Sequence, residues 1–398
     1  MELVWATQDF TIQGEPYPGF PILLWPSMES CVPVNRFLRY YLMRGDIGSK
    51  RSWPSTARAL YDFFSFLEAH DLNWQDVRRG EESSLVAAYR DYCLDRIALA
   101  RSTVRQRLLY VCVFYEYALS QGWVDSLPFN YEVRTVRREA GFLSHIDASG
   151  GKKKGRDVTP RQLRDLPKFL SKDAIKSLLA AAADNPHHQM MIRFGLQTGL
   201  RREEIATFPA AYVHDPDRAG HTKRNICVHL DPRDGHGIRT KGSVPRDIYI
   251  SRRYMRDLHH YVIHSRGLRA SLSAVRYPNL FVNQCGKPYA DHGKGIERIV
   301  RQIGRRAGIA VHPHMLRHTY ATYTLCAAQR YDQFGAEFGM DPLVYVQNQL
   351  GHASIQTTTV YLHLVNERAD DAVLAYDDEL NDWTGVDWAR KKLSPGSI

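Results

Sequence analysis

The stretch HPHMLRHTYAT, residues 312–322, marks the start of a helix in the second half of the chain. His314 and Arg317 stand three positions apart, which places both side chains on one helical face, about one turn from each other. His318 follows Arg317 directly, so we expect it to point elsewhere and to pack or form a hydrogen bond. The pattern predicts a helix over residues 314–328 that presents a histidine and an arginine together.

Two shorter stretches with chemically distinctive residues precede this helix. TGLRREE, residues 198–204, places Arg201 just after Gly199, which interrupts a helical pattern. We therefore expect Arg201 at or near the start of a further helix. RTKGSV, residues 239–244, places Lys241 between ICVHL and RDIYIS, which have the composition of strands. This part of the sequence predicts a small hairpin with Lys241 in a tight turn.

Two more stretches follow the helix. LGHASIQ, residues 350–356, places His352 directly after a Leu-Gly break. TTTVYLH, residues 357–363, places Tyr361 nine positions after His352. Ser354 or Thr357 could begin the helix that carries Tyr361.

In this order, the residues resemble the active site of the tyrosine recombinases, also called the phage integrase family. The residues that carry the resemblance are Arg201, Lys241, His314, Arg317, His352 and Tyr361. Residue type, order and spacing agree over about 170–375, and the helical first part of the chain is similar to the family's core-binding module more loosely. The segment 327–349 is longer than the family pattern, which leaves the local loop geometry open.

The resemblance implies a mainly α fold with a small antiparallel β-sheet, arranged as a two-domain clamp around duplex DNA. An N-terminal helical core-binding domain would precede an α/β catalytic domain. The implied activity is that of a site-specific DNA recombinase or integrase. Such an enzyme cleaves and rejoins strands through a 3′-phosphotyrosyl intermediate, without metal or ATP, and we find no Walker motif in the sequence.

Breaking a phosphodiester requires fixed cations, because negative charge builds on its non-bridging oxygens during attack. Arginine suits this task, since its planar guanidinium donates two parallel hydrogen bonds and keeps its proton. The resemblance assigns phosphate binding to Arg201, Arg317 and His352. Glu204, in the LRxxE pattern, is expected to support the site through a helix or salt-bridge contact rather than to catalyse.

The other roles concern attack and proton transfer. Tyr361 is implied as the nucleophile, because it alone stands at the interval from LGH that the family uses. A tyrosine has a pKa of about 10, so it needs cationic neighbours and a proton acceptor, and His314 is expected to accept or relay the proton. Lys241 is expected to protonate the leaving 5′ oxygen as general acid. Lys287 and Lys294 are weaker candidates for that role.

Composition shifts along the chain suggest five segments. Residues 1–30 form an extended lead-in, and the helical spacing of residues such as Leu60, Phe63, Phe64 and Leu67 predicts a helical domain over 31–144, in which Asn35 is a candidate N-cap. Residues 145–168 form a basic, glycine-containing, flexible linker. The catalytic domain covers 169–375 and 376–398 form a tail, with a last helix expected at about 366–380. The tail could dock on a neighbouring protomer, dock within its own chain, or fray.

The first domain and the linker carry candidate DNA-binding residues. On the polar faces of the predicted helices these are Lys50, Arg51, Arg101, Arg105 and Arg107, and in the linker they are Lys152, Lys153 and Lys154. Each neutralised phosphate would contribute affinity through counterion release. The alternative for the helix residues is a solvated surface, and the alternative for the linker residues is a tether without DNA contact.

The bulk properties agree with a nucleic-acid partner. The chain has 398 residues, 44% of them hydrophobic, and a net charge of +10. The six cysteines lack CxxC spacing, which favours reduced thiols. His312, His314 and His318 lack the HExxH arrangement and have no Cys or carboxylate partner at ligand spacing, so we expect no metal and no cofactor. No signal peptide or membrane span is evident, so the expectation is a soluble, cytoplasmic, nucleoid-associated protein.

The expected partner is double-stranded DNA, bound by a homotetramer that is a monomer or dimer when free, with accessory DNA-binding proteins as further candidates. Three other functions remain open from the sequence. A type IB topoisomerase or a hairpin telomere resolvase would use similar chemistry. A non-enzymatic DNA-binding protein could share the fold. A metal-dependent nuclease is the remaining alternative, and full cleavage in EDTA would exclude it.

Overall fold

The computed structural model describes residues 1–44, 50–78, 84–135, 152–161, 167–220, 222–333, 341–355 and 357–361, apart from the side chains of 51, 134–135, 152–153 and 329–333. The chain divides into two compact units, Met1–Arg164 and Asp165–Ile398. Among the described residues, the strands pair as four separate two-stranded antiparallel sheets, and helices are the main secondary structure of both units. The prediction of a mainly α fold with antiparallel strands is confirmed. No described helix is long and apolar enough to cross a membrane.

Within its described residues, the first unit combines short strands with four α-helices. Its elements are β1 (Glu2–Trp5), β2 (Thr11–Ile12), β3 (Glu15–Pro16), β4 (Pro21–Leu24), α1 (Val32–Leu42), α2 (Trp53–Ala69), α3 (Leu85–Asp91), α4 (Arg101–Ser120), β5 (Tyr131–Thr135) and β6 (Lys152–Arg156). The apolar stripe predicted on α2 is buried, and its Phe63 makes edge-to-face contacts with Tyr89 and Tyr115 at centroid distances of 5.2 and 6.0 Å. These aromatic contacts join α2, α3 and α4 in one core.

The prediction for Asn35 in the first unit is wrong. Asn35 is not an N-cap, because α1 already begins at Val32. Its side-chain amide instead accepts a hydrogen bond from the backbone N–H of Leu23 at 2.8 Å and donates to the carbonyl of Leu23 at 2.7 Å. Asn35 therefore ties α1 to β4, a long-range contact that the local pattern does not contain.

Part of the predicted flexible linker is an ordered strand. Residues Lys152–Arg156 form β6, which pairs with β5 from Tyr131↔Arg156 to Thr135↔Lys152. The guanidinium of Arg156 donates to the carboxylate of Glu116 on α4 at 2.7 Å, and the ammonium of Lys154 lies 4.7 Å from the centroid of the Tyr131 ring. Pairing and side-chain contacts therefore fix a basic segment whose glycines suggested flexibility.

The second unit contains the remaining elements. They are α5 (Lys172–Ala181), α6 (Pro186–Thr198), α7 (Arg202–Thr207), β7 (Asn225–Leu230), β8 (Arg246–Ser251), α8 (Arg252–Tyr261), α9 (Gly267–Ala270), α10 (Ala290–Arg306), α11 (Pro313–Gln333) and α12 (Pro342–Leu350). Residues 357–361 are helical and carry Tyr361. The predicted last helix at about 366–380 and the tail lie outside the described residues.

The strands around Lys241 are as predicted, but the connection between them is not. β7 and β8 pair in antiparallel register from Asn225↔Ser251 to Leu230↔Arg246. Residues 231–245 join them, so the prediction of a tight hairpin turn is wrong. Lys241 lies late in this connection, in a short 3₁₀ turn over Lys241–Ser243. Lys241 therefore lies in a turn, as predicted, but DPRDGHGI, residues 231–238, lengthens the loop before it.

Helix ends place the residues of the site. Ser171 accepts a hydrogen bond from the Ala174 N–H at 3.1 Å and caps α5, as its position predicts. Gly199 ends α6 and Gly351 ends α12, both with φ of +62°, a left-handed conformation that favours glycine. A Cβ at Gly199 would lie 2.3 Å from the Tyr320 ring, and one at Gly351 would lie 2.8 Å from Cδ of Arg246. These two glycines therefore allow close contacts around the site.

Candidate active site

Arg317 is a fully buried arginine on α11. Its side chain is 1% exposed, and its guanidinium donates to the carbonyl of Gly199 at 2.7 Å and to that of Leu350 at 2.6 Å. Its Nε is buried and has no partner in the described part of the chain. Burial, and then the nearby charge of Arg201, lowers the pKa of Arg317 to about 9, so the group keeps its proton at neutral pH. A buried cation with an unused donor is suited to an anionic ligand.

Arg201 stands at the N-cap of α7, as expected from its place after Gly199. Its Nη1 donates to Glu204 at 3.1 Å and its Nη2 donates to the carbonyl of Gly351 at 3.0 Å. The carboxylate of Glu204 also accepts the backbone N–H of Arg201 at 2.7 Å. The Arg201 side chain is 24% exposed, so it can still offer N–H groups to a ligand.

Glu204 is a buried salt-bridge residue with two arginine partners. Besides Arg201, it accepts two parallel hydrogen bonds from Arg246 on β8, at 2.9 and 2.8 Å. Burial alone would raise the pKa of Glu204, but hydrogen bonds and charge from Arg246 and Arg201 hold it below its usual value. The sequence analysis missed Arg246, since a contact across 42 residues leaves no mark on local spacing.

The C-terminal carbonyls of α12 are where the arginines converge. The last carbonyls of a helix lack intrahelical partners and lie at the negative end of the helix dipole, so guanidinium groups suit them. The carbonyl of residue 349 accepts a hydrogen bond from Arg246 Nε at 3.3 Å. The next carbonyl, of residue 350, accepts one from Arg317 Nη2 at 2.6 Å, and that of residue 351 accepts one from Arg201 Nη2 at 3.0 Å. Three arginines that are distant in sequence are thereby fixed beside the LGH motif.

Replacing Glu204 with alanine should destabilise the second unit by about 3–5 kcal/mol, because the buried Arg246 loses its counter-charge. The carboxylate stabilises the fold only while it is ionised. The difference between the wild type and the variant should therefore be complete at neutral pH, and it should disappear as the pH falls through the lowered pKa of Glu204. Urea unfolding at a series of pH values measures both effects.

Glu203→Ala is the matched control for this measurement. Glu203 is the neighbouring carboxylate and pairs with Nδ1 of His292 at 3.0 Å near the surface. Its loss should change the free energy of unfolding by less than about 1 kcal/mol. Equal destabilisation by the two variants would contradict the supporting role of Glu204.

Tyr361 is buried beside two histidines. Its ring is 2% exposed and lies parallel to that of His352, with centroids 6.4 Å apart. Its hydroxyl is 2.8 Å from Nδ1 of His318. Burial raises the pKa of Tyr361, and the charges of Arg317 and Arg201 oppose this rise without cancelling it. The cationic neighbours expected from the sequence therefore act on Tyr361, but the phenol remains protonated.

The expectation that His318 points away from the site is wrong. His318 stands four positions after His314, and residues four apart share a helical face. The two rings touch edge to face with centroids 4.3 Å apart, and it is His318 whose nitrogen reaches the hydroxyl of Tyr361. The HxxxH spacing in HPHMLRH was the signal that could have revealed this. His314 is exposed at the surface of the same face.

His352 follows α12 and is held by its backbone and its ring. Its N–H donates to the carbonyl of Gln347 at 3.1 Å, and its Nδ1 is 2.9 Å from Oγ1 of Thr358. Burial, and then the charges of Arg317 and Arg201, lowers the pKa of His352 to about 3, so the ring is neutral. If the hydroxyl of Thr358 donates to Nδ1, the ring proton lies on Nε2, which is then a hydrogen-bond donor.

Of the six predicted catalytic residues, Lys241 does not share these contacts in the described part of the chain. Its side chain is exposed, and among the described residues no hydrogen bond or ion pair joins it to the other five. The turn that carries it has a fixed shape, because Gly242 and Ser243 have φ of +72° and +54° and Thr240 Oγ1 donates to the carbonyl of Val244 at 2.8 Å. The remaining five residues are brought together.

The candidate DNA-binding residues of the first unit differ in whether their side chains have partners within the unit and in how exposed they are. Arg107 pairs with Asp62, and Arg105 donates to the carbonyl of Pro160, so both have internal partners. Arg101 is exposed. Lys50 is exposed and lies 5.4 Å from the centroid of the Tyr17 ring. The side chains of Arg51, Lys152 and Lys153 lie outside the described residues, and that of Lys154 is exposed.

Within the described ranges, no group of three or more His, Cys, Asp or Glu side chains is arranged to hold a metal ion.

Comparison with known proteins gives consistent matches. The model of the phage integrase family matches residues 168–368. The chain is 24% identical to the tyrosine recombinase XerC of Lacticaseibacillus casei, over 81% of this chain and 92% of that protein. It is 29% identical to the tyrosine recombinase XerD of Oceanobacillus iheyensis, over 85% of this chain and 96% of that protein.

A solved structure shares the fold. The integrase of transposon Tn1549, in complex with transposon right end DNA, superposes with a TM-score of 0.54 at 19% identity. The match covers 83% of this chain and 93% of that one. At this identity the likeness establishes the fold alone.

Proposed function

Because the chain belongs to the phage integrase family and is a tyrosine-type site-specific recombinase, we propose that it cleaves and rejoins DNA through a covalent link to Tyr361. In this proposal Tyr361 attacks the scissile phosphate, forms a 3′-phosphotyrosyl bond and frees a 5′ hydroxyl. A 5′ hydroxyl from a partner strand then reverses the step. The phosphotyrosine conserves the bond energy, so the reaction uses neither ATP nor metal.

The observation that carries the proposal is the convergence of Arg201 and Arg317 next to the tyrosine. Their guanidinium groups bind the adjacent carbonyls of Gly351 and Leu350, and the charges of both lower the pKa of Tyr361 against the effect of burial. Negative charge that develops on a phosphate between these groups would be stabilised by fixed donors that need no rearrangement. Nε of Arg317 and the exposed part of Arg201 supply such donors.

His352 and Lys241 complete the proposed site. The neutral ring of His352, stacked on Tyr361, would donate a hydrogen bond to a phosphate oxygen. Lys241 would protonate the 5′ oxygen as it leaves. Tyr361 is buried, so the attack requires that DNA binding brings its hydroxyl and the phosphate together.

The proposed partner is duplex DNA, contacted in the first unit by Lys50, Arg101 and Lys154, which are exposed. Strand exchange joins two duplexes, so the active assembly would contain four protomers. XerC is a tyrosine recombinase, and the Tn1549 integrase structure contains transposon right end DNA, which supports this partner. The protein would act in the cytoplasm, on the nucleoid.

A nicked suicide substrate in EDTA tests the proposed function. The substrate loses a short strand after cleavage, so the wild-type protein should accumulate as a denaturant-resistant DNA adduct at an undiminished rate. Cleavage that requires a divalent metal, or that leaves no adduct, would contradict the proposal. Relaxation of supercoiled DNA without strand exchange would indicate the topoisomerase reaction instead.

A further inference from the structure

The hydroxyl of Tyr361 has a defined hydrogen-bond partner inside the second unit. Nδ1 of His318 lies 2.8 Å from it, and the two rings are tilted by 53° with centroids 5.7 Å apart. Tyr361 is 2% exposed, so water does not compete for this hydrogen bond. The atom that must lose a proton during attack is therefore already in contact with an imidazole nitrogen.

The direction of this hydrogen bond follows from the burial of the hydroxyl. If Nδ1 carried the proton and donated it, the hydroxyl hydrogen of Tyr361 would have no acceptor among the described residues, at a cost of about 1–3 kcal/mol. If the hydroxyl donates, both groups are satisfied. The proton of the neutral His318 ring then lies on Nε2. In this tautomer His318 is an acceptor for the tyrosine proton.

Burial and a nearby cation keep His318 neutral until an anion arrives. Burial, and then repulsion from His314, Arg317 and His312 whenever these groups carry a proton, lowers its pKa to about 3. Burial also lowers the pKa values of His312 and His314, so Arg317 is the neighbour in this set that stays charged at neutral pH. A bound phosphate diester carries negative charge beside Arg317 and Arg201, which opposes the effect of these cations. The basicity of His318 would therefore rise when substrate is in place.

We propose that His318 is the base that removes the hydroxyl proton of Tyr361 as its oxygen attacks the scissile phosphate, an inference that rests on the function proposed above. The O–H bond breaks and its proton bonds to Nδ1 of His318, while the freed electron pair forms the bond to phosphorus. The bond from phosphorus to the 5′ oxygen breaks, and that oxygen takes a proton from Lys241.

His314 lies next to His318 and could carry the proton onward to solvent. Its ring touches that of His318 and is exposed, so the Nε2 proton of the His318 imidazolium can pass through it or directly to water. The sequence predicts that His314 accepts or relays the proton. The geometry assigns the first acceptance to His318 and leaves the relay to His314.

The test is the single-turnover rate of adduct formation on the nicked suicide substrate, measured for His318→Asn. The side-chain oxygen of asparagine can accept a hydrogen bond near the position of Nδ1, but an amide cannot hold the proton. General bases contribute about 10²- to 10⁴-fold, so cleavage should fall at least about 100-fold while DNA binding persists. His264→Asn, which removes an exposed imidazole from the same unit, should cleave like the wild type.

Chemical rescue provides a second readout. His318→Ala should be equally slow, and added imidazole should raise its rate of adduct formation at least about tenfold. Imidazole should not restore adduct formation by Tyr361→Phe. Adduct formation by His318→Asn within about threefold of the wild-type rate would overturn the inference, since a hydrogen-bond acceptor would then suffice. So would a faster reaction of His318→Ala, because the hydrogen bond would then only restrain Tyr361. If the wild type itself formed no adduct, the proposed function would fail, and this inference with it.

Discussion

Tyr361→Phe should bind DNA with unchanged affinity and form no covalent adduct on a nicked suicide substrate. Phenylalanine keeps the ring, which is 2% exposed and parallel to His352, so the packing around residue 361 survives. The lost hydroxyl leaves Nδ1 of His318 without its partner, at a cost of about 1 kcal/mol. The variant should therefore fold, and its defect should be confined to the covalent step.

Tyr345→Phe is the matched control. Tyr345 lies on α12, and its ring stacks on that of Tyr249 with centroids 6.3 Å apart, a contact that phenylalanine retains. Its adduct yield in a denaturing gel should equal that of the wild type, and gel-shift titration should give the same affinity for all three proteins. An adduct formed by Tyr361→Phe would mean that another residue is the nucleophile.

Lys241→Ala should slow cleavage of ordinary DNA by about 10²- to 10⁴-fold, the range for loss of a general acid. An alkoxide leaves slowly unless it is protonated. A thiolate leaves without help, since thiols have a pKa of about 8.5. DNA with sulfur at the bridging 5′ position should therefore be cleaved by Lys241→Ala at nearly the wild-type rate.

Lys294→Ala is the control for this comparison. Lys294 is exposed and pairs with Asp291 at 3.6 Å. Its replacement should leave the rates on both substrates close to those of the wild type. Equal loss by Lys241→Ala on the oxygen and sulfur substrates would remove the general-acid role from Lys241.

The sequence predicted the parts of the molecule in which local spacing carries the information. The apolar stripe on α2, the Ser171 cap and the strands β7 and β8 are in the structure where the periodicity places them. Gly199 and Gly351 end helices, as their positions indicate. Each of these features is marked in the sequence by the order of residue types over a few neighbouring positions.

Three of the differences have a common physical cause, because they depend on contacts between distant residues. Asn35 is held by Leu23 on another element, and β6 is ordered by β5 and Glu116. Arg246 could not be found from spacing, because its partner Glu204 lies on α7. His318 is the exception, because its position four residues after His314 is visible in the sequence and places both side chains on one helical face.

The site therefore depends on a network that no single motif contains. Arg201, Arg246 and Arg317 are each bound to a carbonyl at the end of α12, and that helix leads directly to His352 and Tyr361. The network holds residues from four separate stretches close together, as the proposed attack on one phosphate requires. It also predicts that support residues such as Glu204 affect both stability and cleavage.

Identification of the residue that becomes linked to DNA tests the central claim most directly. Adduct from the wild-type protein and a nicked suicide substrate would be digested with protease and nuclease, and mass spectrometry would locate the remaining nucleotide. We expect a 3′-phosphate ester on the peptide that contains Tyr361, with fragment ions placing it on that residue. A nucleotide on any other residue would contradict the account.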